Sequence, residues 1–305
     1  TGVPCKIYMD LAGPKIRTVF KSKVKLKIEE GSLIQLVDES RIEDQKNTVG
    51  CTVPDIHKRL KKGETVLFDD GTIETVVEKI QKEVVFLRVK RISAKKKQIK
   101  AEKGINFPNS KLNMPSLTDY DIKCLPFIRR HAELVGYSFI NSPADLIHLQ
   151  KLLSTDHKLA IILKIETAEA VHNLPALLLT GLKHQKLGVM IARGDLAVEI
   201  GFERMSEIQE EILWLCEAAH VPVIWATQVL DNLNKLGMAT RSEITDAAQA
   251  VQAECVMINK GSHIIKTIET LCNILHRSGG HHSKKRHIFR PLAIASDFLS
   301  QSPLQ

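Results

Sequence analysis

Three short segments of this chain place reactive side chains where an apolar run stops. Lys164-Ile165-Glu166 follows Leu159 to Leu163, and two residues that are two apart in extended chain project to the same side. Arg193-Gly194-Asp195 follows Val189-Met190-Ile191-Ala192, a run of the length of a fully buried strand. Thr227 closes Val221 to Ala226 in the same manner. Parallel neighbours lie about 4.8 Å apart, so Glu166 and Asp195 on adjacent strand ends can share one divalent cation. Lys164 beside them would neutralise phosphate charge. A short helix starting at Arg193 would leave the amides of Gly194 and Asp195 as donors to an anion. Gly194, without a side chain, lets a ligand come close to the backbone. The plainer readings stay open: a surface ion pair, a solvated Arg with an Asp cap, and a Thr that caps a helix.

Such residues need rigid elements behind them. Lys6 to Asp10 reads as a strand ending in an acid, and Gly13-Pro14 marks a sharp exit from it. From Thr18 the pattern becomes short alternating strands: Val24, Leu26 and Ile28 among lysines, a hairpin at Asp69-Asp70-Gly71, and mixed apolar and basic residues over 84–92. After Pro115 strands and helices alternate. Strands are expected at 134–139, 159–164, 189–192, 221–226 and 255–258. Helices are expected at 143–153, 168–179, 205–219, 242–251 (capped by Ser242) and 263–275. Alternating units of this kind build a parallel sheet, so the chain is α/β with an all-β insertion after its first strand. Six such strands are too few for an eight-stranded barrel. Either the sheet is open, or the barrel is incomplete in this chain.

The composition is that of an ordinary soluble chain: 305 residues, 44% hydrophobic and 26% charged, with no apolar run long enough to span a membrane. The start has no signal-peptide layout, and the six cysteines form no CxxC pair, which favours buried thiols in a reducing, cytoplasmic setting. The net charge of +8 gathers partly in Lys95-Lys96-Lys97 and Lys284-Lys285-Arg286. Neither run has aromatic residues interleaved, so solvated surface is preferred to nucleic-acid contact. His281 and His282 read as exposed rather than metal-ligating.

LKIETAEAV, GVMIARGDLAVEIG and PVIWATQVL, in this order, resemble the pyruvate kinase family. MDLAGPKIRT, FDDGTIE and KGINFPNSKLNMPSLTDYD match the same family, and the resemblance covers nearly all of residues 5–275. It implies a (β/α)8 TIM barrel, incomplete here, with an inserted β-rich lid. The division expected is barrel strand 3 in 1–17, the lid in 18–111, the remaining barrel in 112–278 and a polar tail in 279–305. The implied reaction is Mg²⁺-dependent (or Mn²⁺-dependent) phosphoryl transfer from phosphoenolpyruvate to ADP, giving pyruvate and ATP. By resemblance, Glu166 and Asp195 would bind Mg²⁺, and Lys164 would stabilise the phosphoryl group in flight. Gly194, Asp195 and Thr227 would hold the substrate carboxylate, with Thr227 also in the proton path to the enolate. Arg17 would approach the phosphates, Asp10 would lie at a monovalent-cation position, and Asp69 and Asp70 would sit on the nucleotide lid. Lys15 stands where K⁺-requiring members often carry Glu, so its ammonium would substitute for K⁺. No nucleic acid or membrane partner is implied, and a homo-oligomer is allowed.

The sequence also departs from the family. The first two strand–helix units and the C-terminal regulatory domain have no counterpart in these residues, and Asn259-Lys260-Gly261-Ser262-His263 replaces a substrate-contacting loop. Two further readings therefore stand beside the first: a Mg²⁺-dependent enolate lyase or aldolase on a related barrel, and an inactive pyruvate kinase-like fragment.

Overall fold

The computed structural model describes residues 2, 4–22, 25–42, 46–93, 97–112, 114–153, 159–183, 186–282, 294, 297 and 298. Lys95, Lys96, Lys284, Lys285 and Arg286 lie outside these. The chain divides into two compact units, one of residues 1–13, 116–197 and 202–305, the other of 14–115 and 198–201.

The first unit opens with strand β1 (Tyr8–Leu11). The second unit then follows with β2 (Thr18–Val19), β3 (Leu26–Lys27), β4 (Leu33–Asp38), β5 (Thr48–Cys51), helix α1 (Ile56–Arg59), β6 (Thr65–Phe68), β7 (Ile73–Gln81), β8 (Val84–Ile92), β9 (Gln98–Ile99) and β10 (Ile105–Asn106). Seven of these form a mixed sheet in the order β10-β6-β7-β8-β4-β5-β2. Its apolar residues alternate in β6, β7 and β8, as a half-buried sheet requires, and they pack Val66, Phe68, Ile73, Val77, Val85 and Leu87 into one core. Asp69 and Asp70 take left-handed φ values of 52° and 57° in the β6–β7 hairpin, where short polar side chains are tolerated.

The first unit resumes with α2 (Asp119–His131), β11 (Leu134–Tyr137), α3 (Pro143–Leu153), β12 (Ala160–Ile165), α4 (Ala168–His172), α5 (Leu174–Gly181), β13 (Leu187–Ala192), α6 (Arg193–Ile200), α7 (Met205–Ala218), β14 (Val223–Ala226), α8 (Asp231–Leu236), α9 (Arg241–Gln249), β15 (Cys255–Val256) and α10 (Ile264–His282). Its six strands are all parallel and follow chain order, β1-β11-β12-β13-β14-β15, which is the arrangement of a (β/α)8-type barrel wall. β13 is buried along most of its length, as expected for a sheet covered on both faces.

Four local expectations need correction. The helix expected over 168–179 breaks at Asn173, because Pro175 in the next first turn has no N–H to continue it. Thr240, not Ser242, caps α9: its hydroxyl accepts from the Glu243 N–H, and Glu243 reaches back to the Thr240 N–H. The helix expected over 263–275 continues to His282, so the segment 279–282 is helical backbone rather than tail. Two of the six thiols, Cys51 and Cys216, are buried, whereas Cys5, Cys255 and Cys272 are exposed; all six are free. Helices α2 and α8 had no counterpart in the reading of the sequence.

Candidate active site

The carboxyl end of β12 carries Lys164 and Glu166, and extended geometry turns both to one face. Lys164 Nζ lies 3.2 Å from Glu166 Oε1 and 3.6 Å from Asp10 Oδ1 of β1, and it donates to Ser138 Oγ at 2.8 Å. Ser138 and Phe139 form the exit of β11. Phe139 takes a left-handed φ of 54°, and its N–H donates to Glu166 Oε2 at 2.7 Å. Three neighbouring strand ends thus converge on one ammonium.

Glu166 is only 3% exposed. Burial pushes its carboxyl above the ordinary range, and the negative charge of Asp195 adds to that push. The Lys164 ammonium and the Phe139 N–H oppose it. A buried carboxylate facing a second carboxylate is an arrangement that a hard cation relieves, and oxygen donors are the ligands such a cation takes. The donor chemistry of Glu166 and Asp195 therefore fits Mg²⁺ or Mn²⁺.

The apolar run of β13 passes directly into α6, so Gly194 and Asp195 lie in a helical first turn. The Gly194 N–H donates to Thr227 Oγ1 at 2.8 Å. Thr227 (φ 67°) and Gln228 (φ 55°) both occupy the left-handed region, costly for a β-branched residue. Arg193 holds this turn. Its Nε donates to the Ala226 carbonyl at 2.9 Å and another guanidinium nitrogen to the Thr227 carbonyl at 2.7 Å. The guanidinium also pairs with Asp246 and lies 4.7 Å from the Trp225 ring centre. Arg193 is thus neither solvated nor aimed at a ligand; it fastens the loop that presents Thr227.

The structure brings together Asp10, Lys164 and Glu166, and separately Gly194 and Thr227, with Asp195 linked to Glu166 by charge. Arg17, Lys15, Asp69 and Asp70 belong to the other unit. There Arg17 is exposed and donates to the Glu102 carbonyl at 3.1 Å, and Asp69 pairs with Lys103 at 2.9 Å. Ser138, the Phe139 N–H, Tyr8 and the clamp made by Arg193 were not singled out from the sequence. Tyr8 alone had a visible signal there, being two residues before Asp10 on one strand face. The Tyr8 hydroxyl donates to Asp10 Oδ1 at 2.5 Å.

Among the described residues, Asp38, Asp55 and His57 also place ligand atoms within 4.8 Å of one another. Arg41 lies 3.2 Å from Asp38 and Lys58 lies 3.0 Å from Asp55.

A family model described as "Pyruvate kinase, barrel domain" matches residues 1–263. The pyruvate kinase of Clostridium acetobutylicum is 32% identical over 280 residues, 89% of this chain and 57% of that protein. The pyruvate kinase of Thermotoga maritima is 31% identical over 307 aligned positions, covering 98% and 63% of the two chains. That of Bacillus licheniformis is 30% identical over 282 residues, covering 89% and 47%. The chain spans between about half and two thirds of the length of these curated relatives.

Proposed function

The chain belongs to the pyruvate kinase family, and from that premise we propose that it transfers the phosphoryl group of phosphoenolpyruvate to ADP, giving pyruvate and ATP. The observation that carries this reading is the Lys164 ammonium, set 3.2 Å from Glu166, whose carboxyl is pushed up first by burial and further by the Asp195 charge. Phosphoryl transfer requires mainly positioning and charge stabilisation, and this cluster has little else to offer.

Glu166 and Asp195 would hold Mg²⁺, which when bound supplies positive charge to the phosphate oxygens. Lys164 meets the phosphoryl group in flight, where a fixed ammonium acts more on the transition state than on the bound substrate. The first-turn amides of α6 and the Thr227 hydroxyl take the substrate carboxylate. Because Thr227 Oγ1 caps the Gly194 N–H at 2.8 Å, carboxylate binding exchanges this hydrogen bond for one to the substrate. Thr227 then stands in the proton path to the enolate carbon. In the other unit, Arg17 serves the phosphates, and the hairpin of Asp69 and Asp70 serves the nucleotide.

The reading also holds that K⁺ is not required. Asp10 Oδ1 accepts the Tyr8 hydroxyl and lies 3.6 Å from the Lys164 ammonium, which already brings positive charge to this position. Lys15 supplies fixed positive charge at the proposed phosphate side. A cytoplasmic location agrees with six free thiols, and assembly into a homo-oligomer belongs to the same reading.

A lactate dehydrogenase-coupled assay tests the reaction. Pyruvate release that depends on both ADP and Mg²⁺, in tetramethylammonium buffer with no further gain from KCl, supports it. Pyruvate release without ADP means that the phosphoryl group goes to water and overturns the transfer to ADP, and strong K⁺ activation removes the role given to Lys15.

A further inference from the structure

Strand β11 lies between β1 and β12, so Asp10 reaches Lys164 across an intervening strand. Gly136 of β11 is the register partner of Asp10. A Cβ on Gly136 would overlap both the Tyr8 hydroxyl and the Asp10 carboxylate, so the missing side chain leaves the space in which that pair lies. Tyr8 and Asp10 are two apart on β1 and share a face, which brings the phenol onto Asp10 Oδ1 at 2.5 Å. The same oxygen is the one 3.6 Å from Lys164 Nζ. Burial and the Asp10 charge push the Tyr8 phenol well above its ordinary range, so it stays a donor at any working pH.

A lysine ammonium rides on a flexible four-carbon stem, and its place is set by what it is anchored to. Here the anchors are Ser138 Oγ, Glu166 and Asp10. Glu166 is assigned to the metal in the proposed reaction, which leaves Asp10 as the carboxylate that holds Lys164. Asp10 is itself 46% exposed, and an exposed carboxylate turns freely unless something fixes it.

We propose that Tyr8 is a positioning residue for phosphoryl transfer: by fixing Asp10 in the recess over Gly136, it fixes the ammonium of Lys164. This rests on the phosphotransfer reading of Lys164.

The test uses the whole chain labelled with ¹³C at the ring carbon that bears the tyrosine hydroxyl. The chain has three tyrosines, so Tyr8→Phe assigns the Tyr8 signal by its loss. Asp10→Asn should move that signal while leaving those of Tyr120 and Tyr137 in place. In turnover, Tyr8→Phe should lower kcat about tenfold, as expected for loss of a hydrogen bond to a charged group. KM for phosphoenolpyruvate should stay within about twofold, because the contact acts on transfer rather than on binding. The double variant Tyr8→Phe/Asp10→Asn should be no slower than Asp10→Asn alone, since Tyr8 acts only through Asp10. A Tyr8 signal unmoved in folded Asp10→Asn, an effect of Tyr8→Phe on KM alone, or additive losses in the double variant each overturns the proposal. Absence of turnover in the unmodified chain refutes the phosphotransfer reading, and the role of Tyr8 in transfer falls with it. A moved tyrosine signal would then still establish the Tyr8–Asp10 contact.

Discussion

Lys164 is 13% exposed and faces two carboxylates, one on its own strand and one on β1. The near partner was legible in the sequence, because Lys164 and Glu166 are two apart in a run that must be extended. The far partner was not, since Asp10 reaches Lys164 only through the register of two strand pairings across more than 150 intervening residues of chain. Arg193 shows the opposite limit. Its neighbours in sequence leave a solvated cation open as the plainer reading, but its acceptors, Ala226, Thr227 and Asp246, lie more than 30 residues away. Lys164→Met should lower kcat by about 10²–10³, the usual effect of removing a charge aimed at a transition state, while KM for phosphoenolpyruvate changes little. Steady-state kinetics decide it. A raised KM with kcat unchanged would make Lys164 a ground-state contact only.

The loop after β14 is held in a conformation its own residues do not favour. Thr227, Gln228 and Leu230 all have positive φ, and Leu230 (φ 49°) sits directly before α8. The Arg193 fork supplies the compensation, two carbonyls and one carboxylate over the face of Trp225. A lysine carries a point charge and cannot span these acceptors. Arg193→Lys should therefore destabilise the chain by about 2–4 kcal/mol, the scale of breaking a buried ion pair. Urea unfolding followed by circular dichroism measures this, and an unchanged midpoint would show that the clamp bears no load. The elements themselves were unevenly legible. β12, β13 and α3 stand out by apolar run or period. α2 carries six charged or His residues among thirteen and a proline, which hides its helical period, although Thr118 and Asp121 form a capping box at its start. The buried Asp121 also accepts the Ala12 N–H at 2.8 Å, a contact that links α2 to the exit of β1.

At the scale of the whole chain, strand–helix alternation makes the parallel sheet and the all-β insertion legible in the sequence, because each pattern has its own period. What the sequence did not reveal was which apolar runs face inward in each unit, and so which thiols are hidden. Cys51 and Cys216 are fully buried, and burial pushes both thiols up to about 12. A raised pKa leaves the unreactive protonated thiol in place at neutral pH, so the sign favours protection in the folded state. With an aromatic disulfide reagent near pH 8, Cys5 and Cys272 should react fastest. Cys255, exposed but pushed up by partial burial, should react more slowly. Cys51 and Cys216 should react only on unfolding; prompt reaction of both in the folded chain would contradict the packing described. The reaction itself is followed most directly by ³¹P NMR of the unmodified chain with phosphoenolpyruvate, ADP and Mg²⁺. The account predicts that the phosphoenolpyruvate signal falls as the ATP γ-phosphate signal rises in equal amount, that EDTA stops both, and that Glu166→Gln abolishes both. Release of inorganic phosphate in place of ATP, or a phosphoenolpyruvate signal that never changes, would contradict it.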